Sequence, residues 1–139
     1  MKVDQPIGNA LWGPLFIRMT LGTYFILAGM RKLEDPVAFL EQVKALRVLP
    51  ELGSTVFGIV LPYVEIACGG LFLIGFWTTL AGIIMAVLLG SFVYALGIRP
   101  AAMGPFNKDL ILLAAVVSVL YTGAGSMSID RFRSATASK

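Results

Sequence analysis

Two ionisable side chains, Arg18 and Glu65, stand inside otherwise apolar stretches of this chain. A charge within a membrane span costs about 2.5–3.5 kcal/mol on insertion scales, so it usually has a partner or a task. Measured inward from Arg31 and Ser54, the two ends of a long connection, their backbone depths differ by only about 3 Å at the helical rise. That spacing pairs them, and three roles are open. They form a buried ion pair that fixes the first apolar helix against the second. Alternatively they line a polar pocket, where the guanidinium hydrogen-bonds a quinone carbonyl and the carboxylate exchanges the accompanying proton. The third role is one wall of a path completed by another subunit. Pro62, one turn before Glu65, frees a backbone carbonyl and either widens the helix there or is a tolerated kink. Tyr24 and Tyr63 offer supporting hydroxyls, although they, Tyr94 and Tyr121 also suit interfacial belts. Asp109 follows Asn107 and Lys108 at the head of another apolar run, where Asn107 caps and Asp109 complements the helix dipole. Ser126, Ser128 and Asp130 close that run or meet headgroups.

The missing residue types are equally informative. The chain has no His, and its single cysteine, Cys68, lies in an apolar run. These counts remove the commonest general base, the usual zinc and haem ligands, any intrachain disulfide and any thiol pair. No phosphate loop, nucleophile elbow or metal-ligand cluster is present, so no metal and no intrinsic cofactor are expected, and no catalytic residue is assigned. Electrons passing through such a chain would be carried by a quinone or a partner. The Lys and Arg residues behind the formal charge of +3 are scattered between apolar runs, which fits membrane flanks and not a nucleic-acid face.

The elements that must position these groups are helices in a bilayer. Of 139 residues, 58% are hydrophobic and only 14% charged, and the mean hydropathy is +0.85; too little polar surface is left for a soluble domain of this size. Four runs approach the ~20 residues needed to cross the hydrocarbon core: 10–30, 56–76, 79–98 and 110–129. The fold class expected is therefore an all-α bundle of four transmembrane helices forming one membrane domain over 1–139. Arg18 splits the first run and no A-x-A site follows, so it reads as a retained helix and not a signal peptide. Only Trp77 and Thr78 separate the second and third runs, which forces an antiparallel hairpin; Pro100, Gly104 and Pro105 break the chain between the third and fourth.

Between the first and second spans, Asp35 is a candidate N-cap and Pro36 a first helical residue. Phe39, Leu40, Val43 and Leu46 follow on one side, so 36–48 reads as a short amphipathic helix on the membrane surface or across the end of the bundle. Gly82, Ala86 and Gly90, and likewise Ala114, Ser118 and Thr122 with Ser126, form small-residue stripes suited to close packing with each other or with a partner. Four crossings put both termini on one side, with Lys2, Arg131, Arg133 and Lys139 facing Arg31, Lys32, Lys44, Arg47, Arg99 and Lys108 on the other. That difference is too small to fix orientation. The tail after Asp130, with Ser134, Thr136 and Ser138, reads as a disordered end.

The segment from Arg18 through Gly22, Gly29, Lys32-Leu33 and Asp35-Pro36, the Glu65 segment with Gly69, Gly70 and Gly75, Asn107-Lys108-Asp109, and the closing Gly123 to Asp130 together resemble the DoxX family of small four-helix membrane proteins of bacteria and archaea. The resemblance implies a multi-pass protein of the cytoplasmic membrane with both termini in the cytoplasm. Some members are membrane subunits of quinone-reducing oxidoreductases, and a related group resembling MauE helps mature a secreted redox enzyme. The lone Cys68 departs from any relative working through a cysteine pair.

The reading drawn from these features is a membrane-embedded, quinone-interacting subunit of a larger oxidoreductase, with Arg18 and Glu65 at its polar centre. A non-catalytic accessory subunit stabilising a respiratory or photosynthetic complex is the alternative, and a small-solute or proton carrier is a third. The partners implied are lipid and other membrane subunits or further copies of the chain.

Overall fold

A computed structural model describes residues 8–98 and 106–137 of the chain. Pro100, Gly104 and Pro105, the charges Lys2, Arg99 and Lys139, and Ser138 lie outside those residues. Asn9 caps a short turn, Ala10–Trp12, that leads into α1 (Gly13–Glu34), which carries Pro14 in its first turn. α2 (Pro36–Ala45) begins as the sequence indicates, with the Asp35 carboxylate accepting from Ala38 N–H at 3.0 Å. It stops short of residue 48, because Arg47 takes a left-handed φ of 51°. α3 (Glu51–Ile74) passes through Pro62 without ending. It closes at Gly75, whose φ of 71° lets the Gly75 and Phe76 N–H groups return to the Phe72 and Leu71 carbonyls. α4 (Thr78–Leu96) and α5 (Lys108–Thr122) pack together, α5 also touches α1, and α6 (Ile129–Ala137) follows.

The α1–α3 seam organises the molecule. A Cβ on Gly22 would lie 2.7 Å from the Gly69 carbonyl and Leu73 Cβ, and one on Gly29 would lie 2.6 Å from the Pro62 carbonyl. Hydrophobic association contributes little inside lipid, so backbones that approach this closely, through glycine, hold helices together by dispersion. Phe25, Phe72, Met85, Leu89, Val116 and Val119 fill the interior beside the seam. Phe16, Leu27, Val56, Ile59, Val87 and Ile111 point outward, an apolar surface that suits a bilayer and not water.

Three helical stretches, Ala10–Glu34, Glu51–Ile74 and Thr78–Leu96, are long and apolar enough to cross a membrane. The expected fourth span is cut short. Of the run 110–129, α5 takes only the part up to Thr122; Gly123 and Gly125 then adopt φ of 82° and 72° and turn the chain. At 15 residues, α5 is about 22 Å long, less than a ~30 Å hydrocarbon core. The segment expected to be disordered is also corrected. α6 is helical to Ala137, tied down by Asp130, whose N–H donates to the Gly75 carbonyl at 3.0 Å.

Candidate functional site

Arg18 and Glu65 are both buried, at 0% and 2% exposure, but they do not pair. The depths assumed from the sequence place the ends of α1 and α3 level. In the structure α3 begins about two turns beyond the end of α1, with its first residues packed on α2 through Leu40 against Gly58. The register set by Gly22 and Gly29 then brings Arg18 to the far end of α3 and Glu65 to the level of Lys32.

Arg18 serves as a clamp. Its Nε donates to the Phe72 carbonyl at 2.9 Å and a terminal nitrogen to the Leu73 carbonyl at 3.0 Å, while the other terminal nitrogen donates to the Ala124 carbonyl. The Phe72 and Leu73 carbonyls lie in the last turn of α3 and the Ala124 carbonyl in the turn after α5, so a fixed guanidinium fork joins the two and offsets the negative dipole end of α3. Asp130 completes that end of the bundle by accepting from the Trp77 and Thr78 N–H groups at 2.9 and 2.7 Å, which caps α4. Asp130 therefore caps the start of α4 and does not close the run that precedes it, the role one of the two sequence alternatives gives it.

Glu65 faces the opposite end. Both of its carboxylate oxygens accept from Lys32 Nζ at 2.6 Å. Lys32 also lies 5.5 Å from the Phe39 ring centre on α2 and 5.7 Å from that of Phe92 on α4, favourable placements for a partly desolvated ammonium. A second ion pair, Lys108 with Asp109 at 2.9 Å, opens α5, and Lys108 lies 5.6 Å from the Tyr24 ring centre. Asn107 caps α5 by accepting from Asp109 N–H at 3.0 Å and ties it to α4 by donating to the Gly97 carbonyl. All four charged residues and Tyr24 line one cavity of about 720 Å³ whose other walls include Phe25, Leu61, Leu89, Val43 and Leu49.

Of the sequence candidates, Glu65, Tyr24 and Asp109 are brought together here. Tyr63 points outward, at 60% exposure. Gly82 packs inward against Leu120 and Phe72, whereas Gly90 has nothing within 4 Å of a built Cβ. Ala86 packs on the core; Ala114, Ser118 and Thr122 face outward. The residue missed by sequence reasoning is Lys32, read as a headgroup flank beside Arg31. The signal was its place in Gly22, Phe25, Gly29 and Lys32, spaced by three, four and three on one face. No group of residues able to hold a metal occurs among the described residues.

A family model for the methylamine utilisation protein MauE matches residues 10–107. The chain belongs to the MauE family. That match overturns the DoxX resemblance: the fragments that suggested it are the α1–α3 seam glycines, the α2 cap, the Lys32–Glu65 pair and the Arg18–Asp130 end clamp. Such packing devices recur wherever short helices meet closely and do not by themselves identify a family. Membership in MauE and three apolar helices make the chain a membrane protein. No curated protein and no solved structure matches it.

Proposed function

We propose that this MauE-family chain is a membrane accessory subunit of a redox system and that its cavity takes up a quinone-class molecule from the bilayer. The observation that carries this reading is the cavity itself: largely apolar walls sized for a ring with part of an isoprenoid tail, and charged pairs gathered in it. Lys32 and Glu65, and not Arg18, are the groups that would meet the ring. No catalytic residue is assigned, since a redox step would need electrons from a partner. The family's tie to methylamine utilisation supports a role beside other proteins.

The test is purification of the full chain from native membranes in mild detergent, with mass spectrometry of extracted quinones and co-purifying proteins. Quinone enrichment that disappears in Ala95→Trp, a cavity-wall replacement, at unchanged protein yield is the expected result. Absence of enrichment in the unaltered chain overturns the reading.

The outward face of α5 supports a second, purely structural accessory role. Ala114, Ser118 and Thr122 are exposed there with Ile111, Val117 and Tyr121, a surface on which another helix could pack closely. Ser118→Leu should lower partner recovery in the same purification while leaving quinone content unchanged; unaltered recovery counts against this role.

A further inference from the structure

The end of the bundle opposite the cavity carries exposed groups that neither the Arg18 clamp nor the cavity uses. Phe132 on α6 and Met127 in the turn before it are 70% and 67% exposed. Ile129, Phe132 and Thr136 share one face of α6, spaced by three and four. Beside them stand both tryptophans of the chain, Trp12 and Trp77, each about half exposed. Trp77 is placed there by the Asp130 cap, and Trp12 by its neighbour Leu11, whose carbonyl accepts from Ser126 N–H. Indole rings at one end of an apolar bundle mark the headgroup level of a bilayer. Charge sets this end apart from the other. Asp130 is its one acidic residue among the described residues, against Arg18, Arg131 and Arg133, and both Asp130 oxygens accept from backbone N–H groups. At the cavity end, Arg31, Lys44 and Arg47 are interspersed with Glu34, Asp35, Glu41 and Glu51, and Lys32 and Lys108 are each paired. Arg131 and Arg133 are exposed. Arg133 lies 5.5 Å from the Phe76 ring centre, and Phe76 stacks on Trp77 at 5.1 Å. Such stacking uses the face of a guanidinium and leaves its N–H edge for an oxyanion.

From this we infer that α6 lies in the membrane interface and that this end of the molecule binds anionic phospholipid. Phe132 and Met127 sit among the acyl chains, Arg131 and Arg133 meet the headgroup oxygens, and Trp12 and Trp77 stand at the boundary between the two. An apolar face alone would accept any lipid; arginines without matching acids select the anionic one. Arginine suits the task because its planar fork matches phosphate geometry. Lipid contact at α6 also bears on the clamp, since Asp130 and Arg133 belong to the same short helix. A headgroup that holds α6 in the interface holds the α4 cap in place.

The two tryptophans make the test direct, because both report on this end. The full chain is placed in bilayers of mixed phosphatidylcholine and phosphatidylglycerol, with the acyl chains of one lipid or the other brominated, and quenching of tryptophan emission gives the lipid composition beside the indoles. Phosphatidylglycerol should be preferred at least about fivefold, the size expected from one or two interfacial arginines, and the preference should shrink as salt is raised. Arg131→Gln with Arg133→Gln should bring the ratio toward one, while Arg131→Lys with Arg133→Lys should keep most of it. Arg31→Gln with Lys44→Gln, at the other end, should leave it unchanged. Equal quenching by the two brominated lipids in the unaltered chain overturns the inference. So does weak quenching by both, which would put the indoles against water or a protein partner. A preference that survives the double Gln variant removes the α6 arginines as its source.

Discussion

Arg18 and Glu65 have the same rarity in the sequence and opposite uses in the structure, and substitution should separate them. Arg18 makes three hydrogen bonds to carbonyls, each charge-assisted and worth roughly 1.5–3 kcal/mol. Arg18→Met should therefore lower thermal stability in detergent by several kcal/mol, with Arg18→Lys intermediate because an ammonium cannot span the fork. Glu65→Gln should cost less stability and act chiefly on quinone content; the reverse order of unfolding temperatures would return Glu65 to a structural role. Asp130 lies beyond the spans and carries a pH dependence. Burial pushes its carboxyl up, but the Thr78 and Trp77 N–H groups and the Arg133 charge outweigh this and hold it below the usual range. A carboxyl lowered in the folded state stabilises fully above its unfolded value, about pH 3.9, and that contribution fades as pH falls through the lower folded value. Unfolding midpoints between pH 6 and 3 should accordingly drop at the acid end, and Asp130→Asn should be less stable at pH 6 with a flatter acid limb. An unchanged acid limb in that variant would assign the loss to other carboxylates.

The existence of α1 to α5 and the local caps of α2 and α5 are legible in the sequence, whereas α6, the capping of α4 by the distant Asp130 and the helix register are not. Asp35-Pro36 announces α2, and Asn107 announces α5, because a cap is a local device whose donor and acceptor lie two or three residues apart. The Arg18–Glu65 pairing depended on how α1 slides along α3, which is decided by Gly22, Gly29 and Gly69 acting across the seam. Glycines every few residues permit several close-packed registers, and only the tertiary fit selects one. The seam yields a direct prediction. Gly22→Ala or Gly29→Ala forces a methyl against backbone carbonyl at 2.6–2.7 Å and should destabilise by about 1–3 kcal/mol through strain and backbone displacement. Gly90→Ala, with open space around its Cβ, should be close to neutral. The informative readout is the difference among the three unfolding temperatures, and equal effects would mean that the seam does not set stability.

At the level of the whole molecule, composition sufficed for an all-helical membrane protein, but the count of crossings turns on α5, whose 15 residues are fewer than a full span requires. A hydrophobic rod several ångströms too short can still cross if the bilayer thins locally or flanking groups reach the interface. Two contacts argue for crossing. Ser126 N–H donates to the Leu11 carbonyl at 2.9 Å, and Arg18 joins the Ala124 carbonyl, so the end of α5 meets the beginning of α1, while Lys108 at its start lines the cavity beside Lys32. If α1, α3 and α4 cross, α5 should cross with them, since its two ends reach opposite ends of α1. Cysteine reporters decide this, and Cys68 is buried, so a Cys68→Ser background is clean. Gly8→Cys and Ser134→Cys should react with a membrane-impermeant thiol reagent from one face of oriented vesicles, and Lys44→Cys from the other. Labelling of Ser134→Cys from the same face as Lys44→Cys would mean that α5 re-enters without crossing, and the end clamp built by Arg18 and Asp130 could not then form in the membrane.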